Sequence, residues 1–185
     1  MNKNKKLRFL ILTALFAAMT FVLTFSIKIP MPGGGYIHLG DTMIYLAASI
    51  LPTPLAMLGA AIGGAMSDFA GGYTMFVLPT LIIKALICVP FTSKNEKIIC
   101  KRNLLACVVS AVITLAGYYL TDVVLLAMSS ANGFIAGMSE AANWAGGLPS
   151  IAGNTIQAVG SAILFIVIGL VFDKMNFKNR IKKMM

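Results

Sequence analysis

The sequence is short of charge. Only 11% of its 185 residues are Asp, Glu, Lys or Arg, whereas a soluble domain has about 25%. Hydrophobic residues make up 58% of the chain, and its mean hydropathy is +0.87. So little polar surface cannot cover a soluble globule. The composition therefore predicts a chain that uses the lipid bilayer as its solvent.

Motifs that bind metals or nucleotides are also missing. The chain has one histidine, His38, so a site with several histidine ligands is excluded. Cys88, Cys100 and Cys107 show no C-x-x-C or histidine-paired spacing and are predicted to be reduced structural thiols. No G-x-x-x-x-G-K-S/T motif is present to hold nucleotide phosphates. We therefore predict no metal, no cofactor and no energy source within the chain.

Most of the positive charge lies in three short clusters. Thirteen of the 15 Lys and Arg residues fall in segments 3–8, 94–102 and 174–183, and the sequence between them is almost entirely apolar. Basic clusters beside apolar segments are typical of the cytoplasmic side of membrane proteins, where anionic lipid headgroups attract them. The net charge of +9 therefore indicates a lipid bilayer as partner and no nucleic acid.

Proline and glycine divide the apolar sequence into six segments. We predict an all-α integral membrane protein, one membrane domain over residues 1–185, with six transmembrane helices approximately at 8–27, 40–53, 54–70, 73–91, 103–128 and 150–172. An even number of spans places both termini and all basic clusters in the cytoplasm. The first span is predicted to be retained, because its apolar run exceeds the roughly 7 to 15 residues of a signal peptide.

Two long segments are predicted on the outer side. Residues 129–149 are expected to form a loop or one short surface helix. Residues 28–39 have the composition of a mobile lid, since prolines stiffen the first half and glycines loosen the second. Tyr36, His38 and Asp41 follow within six positions and are candidates for contacting a ligand. A plain connector is the alternative interpretation of this loop.

Lys84 lies in the middle of the fourth predicted span. A lysine at that depth needs a polar partner, because snorkelling to the interface works best near a helix end. Asp122 in the fifth span, which shares a helix face with Tyr118, is the predicted counter-ion, and Asp68 is the second choice. Lys84, Tyr118 and Asp122 are therefore candidates for a buried ion pair or for ligand contacts.

Three more candidates follow near the outer side. Asn154 and Gln157 are three positions apart in the sixth span, so they point to the same side of a helix. Such amides either bind a ligand or join neighbouring helices. Trp144 either anchors the chain at the membrane interface or stacks on an aromatic ligand.

Small residues form smooth faces on two of the predicted helices. Gly59, Gly63 and Gly64 lie on the third, and Ala14 and Ala18 are four positions apart on the first. Small residues let helix backbones approach closely. Most such faces pack within one protein. For Ala14 and Ala18, a docking surface for another membrane subunit is the alternative.

Three local patterns together resemble a known family. They are Gly35-Tyr36-Ile37-His38-Leu39-Gly40-Asp41, then Gly63-Gly64-Ala65-Met66-Ser67-Asp68-Phe69-Ala70-Gly71-Gly72-Tyr73, then Leu78-Pro79-Thr80-Leu81-Ile82-Ile83-Lys84. In order and spacing, residues 8–91 resemble the substrate-binding S components of energy-coupling factor (ECF) vitamin transporters. The riboflavin and hydroxymethylpyrimidine/pyridoxine types are the most similar.

The resemblance implies a function and a set of partners. It implies that the chain captures a vitamin or vitamin precursor outside the cell and associates with one membrane scaffold subunit and two cytoplasmic ATPases. Members use an Ala-x-x-x-Ala stretch of the first helix to contact the scaffold, which fits Ala14 and Ala18. The ligand is implied to lie between the first outer loop and the outer halves of later helices, at Tyr36, His38, Asp122, Trp144, Asn154 and Gln157. We expect a multi-pass protein of a prokaryotic plasma membrane that is not an enzyme.

Two other classes of function fit the sequence less well. An intramembrane enzyme acting on lipids could use Asp41, Asp68, His38 and Lys84 as acid/base or metal groups. The acids are scattered singly, however, and no two converge at helical spacing. A stand-alone secondary carrier is disfavoured because the six segments show no clear inverted repeat.

Overall fold

The computed structural model describes residues 3–31, 35–145 and 148–184. The first helix, α1 (Lys3–Ser26), starts in the first basic cluster and ends shortly before Pro30. A short antiparallel hairpin follows, in which β1 (Ile29–Pro30) pairs with β2 (Tyr36–Ile37). Pro32, Gly33 and Gly34 of the predicted lid lie outside the described residues. The lid segment is thus a hairpin for as much of it as is described.

Two helices follow the hairpin and are joined by a tight turn. All ten residues of α2 (Asp41–Ile50) are buried, and α3 (Thr53–Ala70) begins directly after Pro52. Proline disfavours helix in the residue before it, and Leu51 is accordingly extended, with ψ of 156°. The boundary predicted between the second and third segments is confirmed.

Glycine on α3 lets this helix pack closely against α1. A Cβ atom at Gly63 would lie 2.5 Å from the carbonyl oxygen of Ala17, and one at Gly59 would lie 3.1 Å from that of Thr13. The first distance leaves no room for a side chain at position 63, and the second leaves little room at position 59. The glycine face predicted on the third segment therefore packs inside the protein.

The fourth predicted segment is helical over only part of its length. A 3₁₀ helix (Thr74–Phe76) leads into α4 (Val77–Leu86), and turns continue to Pro90. The predicted helix over 73–91 was therefore too long. Directly after the turns, Phe91 stacks on the buried ring of Tyr45 at 5.1 Å between centroids, so apolar packing holds this stretch against α2.

The second half of the chain consists of two long helices and two short ones. They are α5 (Lys101–Ser129), α6 (Phe134–Ala145), α7 (Leu148–Lys174) and α8 (Phe177–Met184). The short helix allowed for in 129–149 is confirmed as α6, which packs along α5. The helix α8 was not predicted, and Asn176, with φ of 51°, forms the turn before it.

Each of the six predicted segments contains a helix. Among the described helices, three are long and apolar enough to cross a membrane, with mean hydropathies of 2.2, 1.9 and 2.3 for their most apolar stretches: Asn4–Ser26, Lys101–Ser129 and Ile151–Lys174. We call the end of the bundle with the β1–β2 hairpin and the Gly71–Gly72 turn the hairpin end. The opposite end, which holds segment 92–100 and α8, is the basic end.

Buried polar groups fasten the basic end. The amide of Asn103 at the start of α5 donates to Ser49 Oγ (3.1 Å) and to the carbonyl oxygens of Thr92 (3.2 Å) and Ile98 (2.9 Å). Its oxygen accepts the Thr92 N–H at 2.8 Å. The carboxylate of Asp173 accepts two consecutive N–H groups, from Ile98 (2.7 Å) and Ile99 (2.9 Å). Segment 92–99 is thus tied to three helices.

Candidate functional site

A buried ion pair lies at the centre of the candidate site. Lys84 Nζ on α4 is 2.6 Å from Asp41 Oδ1 at the start of α2, and the two side chains are 1% and 0% exposed. The prediction that Lys84 is paired with Asp122, or else with Asp68, is therefore wrong. Gly64 makes the pair possible, because a Cβ there would lie 2.9 Å from Lys84 Cγ.

Gln157 on α7 connects this ion pair to the hairpin. Its Nε2 donates to Asp41 Oδ2 at 3.0 Å, and its Oε1 accepts the backbone N–H of His38 at 3.3 Å. Asn154, one turn earlier, is also buried. The two amides therefore point to the same side of the helix, as their spacing predicted, and that side is the protein interior. One side chain thus joins α2, α7 and the residue that follows β2.

The imidazole of His38 is buried and uncharged. It is 5% exposed, and its Nδ1 accepts the backbone N–H of Gly40 at 3.1 Å. Burial lowers the pKa of His38, and together with the nearby positive charge of Lys84 it brings this pKa to about 3. At neutral pH His38 is therefore a neutral side chain that shapes the chain entering α2.

Tyr36 joins the hairpin to α3. Its hydroxyl donates to Asp68 Oδ1 at 2.5 Å, and both side chains are buried. Burial raises the pKa of Tyr36 well above its usual value, and the Asp68 carboxylate adds to this, so the phenol stays protonated and continues to donate. The two hairpin side chains predicted to contact a ligand, Tyr36 and His38, are thus engaged with the protein itself.

A cavity of about 340 Å³ opens at the hairpin end, between the turn after α3 and the last turns of α5. Its lining combines aromatic and apolar side chains with the Asp122 carboxylate: Gly72, Tyr73, Thr74, Met75, Phe76, Asp122, Leu125, Leu126 and Ser129. The ring of Tyr73 lies 4.7 Å from that of Tyr36, so the cavity wall continues into the hairpin. Tyr73 was not predicted, although it ends the second of the three sequence patterns.

The remaining candidates lie at different places around this centre. Tyr118 contacts the ion pair, since Lys84 Nζ is 5.3 Å from its ring centroid and its hydroxyl is 3.1 Å from Thr80 Oγ1. The side chain of Trp144 lies outside the described part of the chain. Within the described residues, no group of three or more His, Cys, Asp or Glu side chains could hold a metal ion.

The small residues of α1 divide between two faces. Ala14 and Ala18 are exposed, whereas Thr13 and Thr20 are buried on the side that meets α3. A face of exposed alanines on an apolar helix allows another helix to approach closely. These two residues therefore lie outside the internal contact between α1 and α3.

Comparison with known proteins identifies the family. A family model described as "ECF-type riboflavin transporter, S component" matches residues 4–174. The chain belongs to this family. The resemblance carried by the three sequence patterns is confirmed, and this S component is a membrane protein that binds a substrate for transport, not an enzyme.

The fold of this S component agrees with a solved structure. The chain is similar to a structure reported as the S component of a bacterial ECF transporter, with a TM-score of 0.66 over 92% of this chain and 98% of that one. At 19% sequence identity, this likeness shows the fold alone. No curated protein matches the chain.

Proposed function

We propose that this S component captures riboflavin, or a flat heteroaromatic vitamin of the hydroxymethylpyrimidine or pyridoxine type, at the hairpin end. The cavity beside Tyr73 and Asp122 is the observation that carries the proposal. Its volume of about 340 Å³ falls within the range of small-molecule sites, about 300 to 1,000 Å³. An apolar, aromatic wall with one carboxylate suits a flat ring system that carries N–H and O–H groups.

The site residues have different roles in this proposal. Asp122 accepts a hydrogen bond from the vitamin, and Tyr73 and Trp144 supply aromatic faces. Asn154 completes the site, and the hairpin side chains of Tyr36 and His38, which are bonded within the protein, shape its wall. Asp41, Lys84, Tyr118 and Gln157 act below them as a buried support, because their polar atoms are already bonded to one another or to neighbouring residues.

Binding is tested on the purified single chain in detergent. Riboflavin fluorescence should be quenched on binding, with pyridoxine and hydroxymethylpyrimidine as competitors. Asp122→Asn should weaken the preferred vitamin by roughly 5- to 150-fold, the effect of leaving one buried polar group unpaired. Glu140→Gln, an exposed carboxylate on α6, is the matched control and should bind as wild type. Wild-type protein that neither quenches riboflavin nor retains any of the three compounds would contradict the proposal.

We further propose that six helices cross a prokaryotic plasma membrane, with both termini and residues 92–102 in the cytoplasm. The helices α1 to α5 and α7 supply the six spans. Gathering every basic cluster on one side supports this orientation. In a background without the three native cysteines, a cysteine at Asn95, which is exposed, should react with an impermeant reagent only from the inside. Labelling of intact cells from outside would reverse the assignment.

The exposed alanines of α1 are proposed to contact the scaffold subunit, which associates with two cytoplasmic ATPases. The chain lacks a nucleotide-binding motif, so energy for release of the vitamin must come from such partners. Ala14→Leu and Ala18→Leu would separate two closely packed helices without touching the distant cavity. In vesicles with the full transporter, both should abolish riboflavin uptake and leave the affinity of the purified chain unchanged.

The matched control for docking is Ala136→Leu, the same substitution at an exposed position of α6. Uptake by this variant should remain at the wild-type level. Loss of affinity in purified Ala14→Leu or Ala18→Leu would mean that these residues stabilise the chain itself and that the docking face lies elsewhere.

A further inference from the structure

Lys28 is the second basic residue outside the three clusters, and its surroundings differ from those of Lys84. Its Nζ lies 4.5 Å from the ring centroid of Phe25, 4.7 Å from that of Tyr36 and 5.4 Å from that of Tyr73. A cation within about 6 Å of an aromatic ring is attracted to the ring face. The ammonium of Lys28 therefore lies among three rings.

Other interactions of this ammonium are weak. Its contact with the carbonyl oxygen of Ser67, in the last turn of α3, is long at 3.5 Å. In the part of the chain that the structure describes, Lys28 forms no ion pair with a carboxylate. The partial negative charge at the C-terminus of a helix adds modest attraction. The three rings are thus the main partners that hold this half-buried cation in place.

The three rings come from separate segments. Phe25 belongs to the end of α1, Tyr36 to strand β2 and Tyr73 to the turn between α3 and the 3₁₀ helix. The rings of Tyr36 and Tyr73 also contact each other, with centroids 4.7 Å apart. Holding one ammonium therefore fixes these segments relative to one another.

Gly71 makes room for the cation. A Cβ atom at this position would lie 2.1 Å from Lys28 Nζ, 2.9 Å from the carbonyl oxygen of Ser67 and 3.3 Å from Tyr73 Cδ2. The end of the lysine side chain can move away at little cost, whereas the backbone at Ser67 must also shift slightly. Gly71→Ala should therefore displace the ammonium and retain its charge. Position 71 thus offers a second way to empty the space among the rings without changing residue 28.

We propose that Lys28 is a positioning residue for the ligand, because its ammonium orients Tyr73 as a wall of the cavity and holds the hairpin against the turn after α3. This inference rests on the proposed function. Lys28 acts through Tyr36 and Tyr73 and does not itself contact the ligand. Its loss should speed release of the vitamin, since the hairpin and the cavity wall then move independently.

The test compares Lys28→Met, Lys28→Arg and Gly71→Ala, with Lys94→Met as the matched control at an exposed lysine of the basic end. Loss of the cation should raise the riboflavin dissociation constant roughly 5- to 30-fold, mostly through faster release. Gly71→Ala should act in the same direction. Lys28→Arg, which keeps a cation that stacks on aromatic rings, should bind nearly as wild type.

A spectroscopic readout separates positioning from a general loss of structure. With fluorotyrosine incorporated, the ¹⁹F resonances of Tyr36 and Tyr73 should move in Lys28→Met and Gly71→Ala, while those of Tyr45 and Tyr119 stay in place. Resonances are assigned by single Tyr→Phe substitutions. If Tyr36 and Tyr73 keep their resonances in Lys28→Met, the ammonium does not orient them and the proposal is overturned.

The two proposals fail in different ways. Absence of riboflavin binding by the wild-type chain would overturn the proposed ligand, and with it the ligand role of Lys28, whatever the resonances show. Normal binding by wild type together with an unchanged release rate in Lys28→Met and Gly71→Ala would overturn the positioning role alone.

Discussion

Lys84 donates a 2.6 Å hydrogen bond to Asp41, and both side chains are almost completely buried. Removing one member of such a pair leaves an uncompensated charge, which destabilises a protein by about 3 to 5 kcal/mol. We expect Lys84→Met to lower the free energy of unfolding by about that amount. Lys84→Met with Asp41→Asn should recover most of the loss, as measured by denaturant titration in micelles.

The control for this pair is Lys84→Met combined with Asp122→Asn. Asp122 lines the cavity and is not the partner of Lys84, so this double variant should remain as unstable as Lys84→Met. Equal recovery by the two double variants would show that the charge of Lys84 is shared between both carboxylates.

His38 should make stability depend on pH. The folded protein keeps the imidazole neutral down to about pH 3, whereas the unfolded chain binds a proton near pH 6.5. Stability is therefore lost as the pH falls below 6.5, by about 2 kcal/mol between pH 7 and pH 5. The charged groups that face His38 are Lys84, Asp41 and Lys28.

The comparison for His38 is His38→Asn, whose side-chain oxygen can accept the Gly40 N–H in place of Nδ1. Thermal unfolding of both proteins at pH 7 and pH 5 gives the difference, which removes the contributions of the carboxylates. The variant should lose less stability than wild type over this range. The same loss in both proteins would mean that His38 is protonated in the fold.

Asn103 should stabilise the basic end without affecting ligand binding. Its amide satisfies the buried Thr92 N–H and three acceptors. Asn103→Ala leaves at least one buried group unsatisfied, which costs about 1 to 3 kcal/mol. We expect a lower unfolding temperature with unchanged riboflavin affinity. Asn95→Ala, at an exposed position of the same segment, should change neither. Weaker vitamin binding by Asn103→Ala would show that the two ends are coupled.

Gly63 should tolerate substitution less well than Gly160. An alanine Cβ at Gly63 meets the backbone oxygen of Ala17 at 2.5 Å, whereas one at Gly160 meets the movable end of Leu39 at 3.3 Å. Overpacking of this kind costs about 1 to 3 kcal/mol. We expect Gly63→Ala to lower the unfolding temperature clearly and Gly160→Ala to lower it little. Similar shifts for both would mean that α1 moves aside at no cost.

The helices could be predicted because a chain that crosses a bilayer is divided into long apolar segments with basic clusters beside them. Pro52 marked the turn between α2 and α3, and Gly59 and Gly63 marked a face of close packing. The end of α4 was predicted too late. After Leu86 the chain stays apolar but turns, since the packing of Phe91 on Tyr45 holds it, and hydropathy does not distinguish a buried turn from a helix.

The partner of Lys84 could not be predicted for a different reason. The predicted spans place Asp41 at one end of the second segment, whereas Lys84 lies in the middle of the fourth. Asp41 instead begins a fully buried ten-residue helix, so the hairpin carries the chain inward before α2 starts. The sequence showed that Lys84 needs a polar partner. Which residue is the partner depended on how the hairpin carries the chain into α2.

The carboxylate of Asp173 accepts the N–H groups of two consecutive residues, Ile98 and Ile99. Two hydrogen bonds from adjacent N–H groups to one carboxylate oppose both sliding and rotation. The linker between α4 and α5 is therefore held firmly against the C-terminal end of α7. In the proposed orientation, a partner that pressed on this linker from the cytoplasm would move α4, α5 and α7 together. The three helices would then tilt as one unit, and motion of one helix relative to another would be confined to the hairpin end.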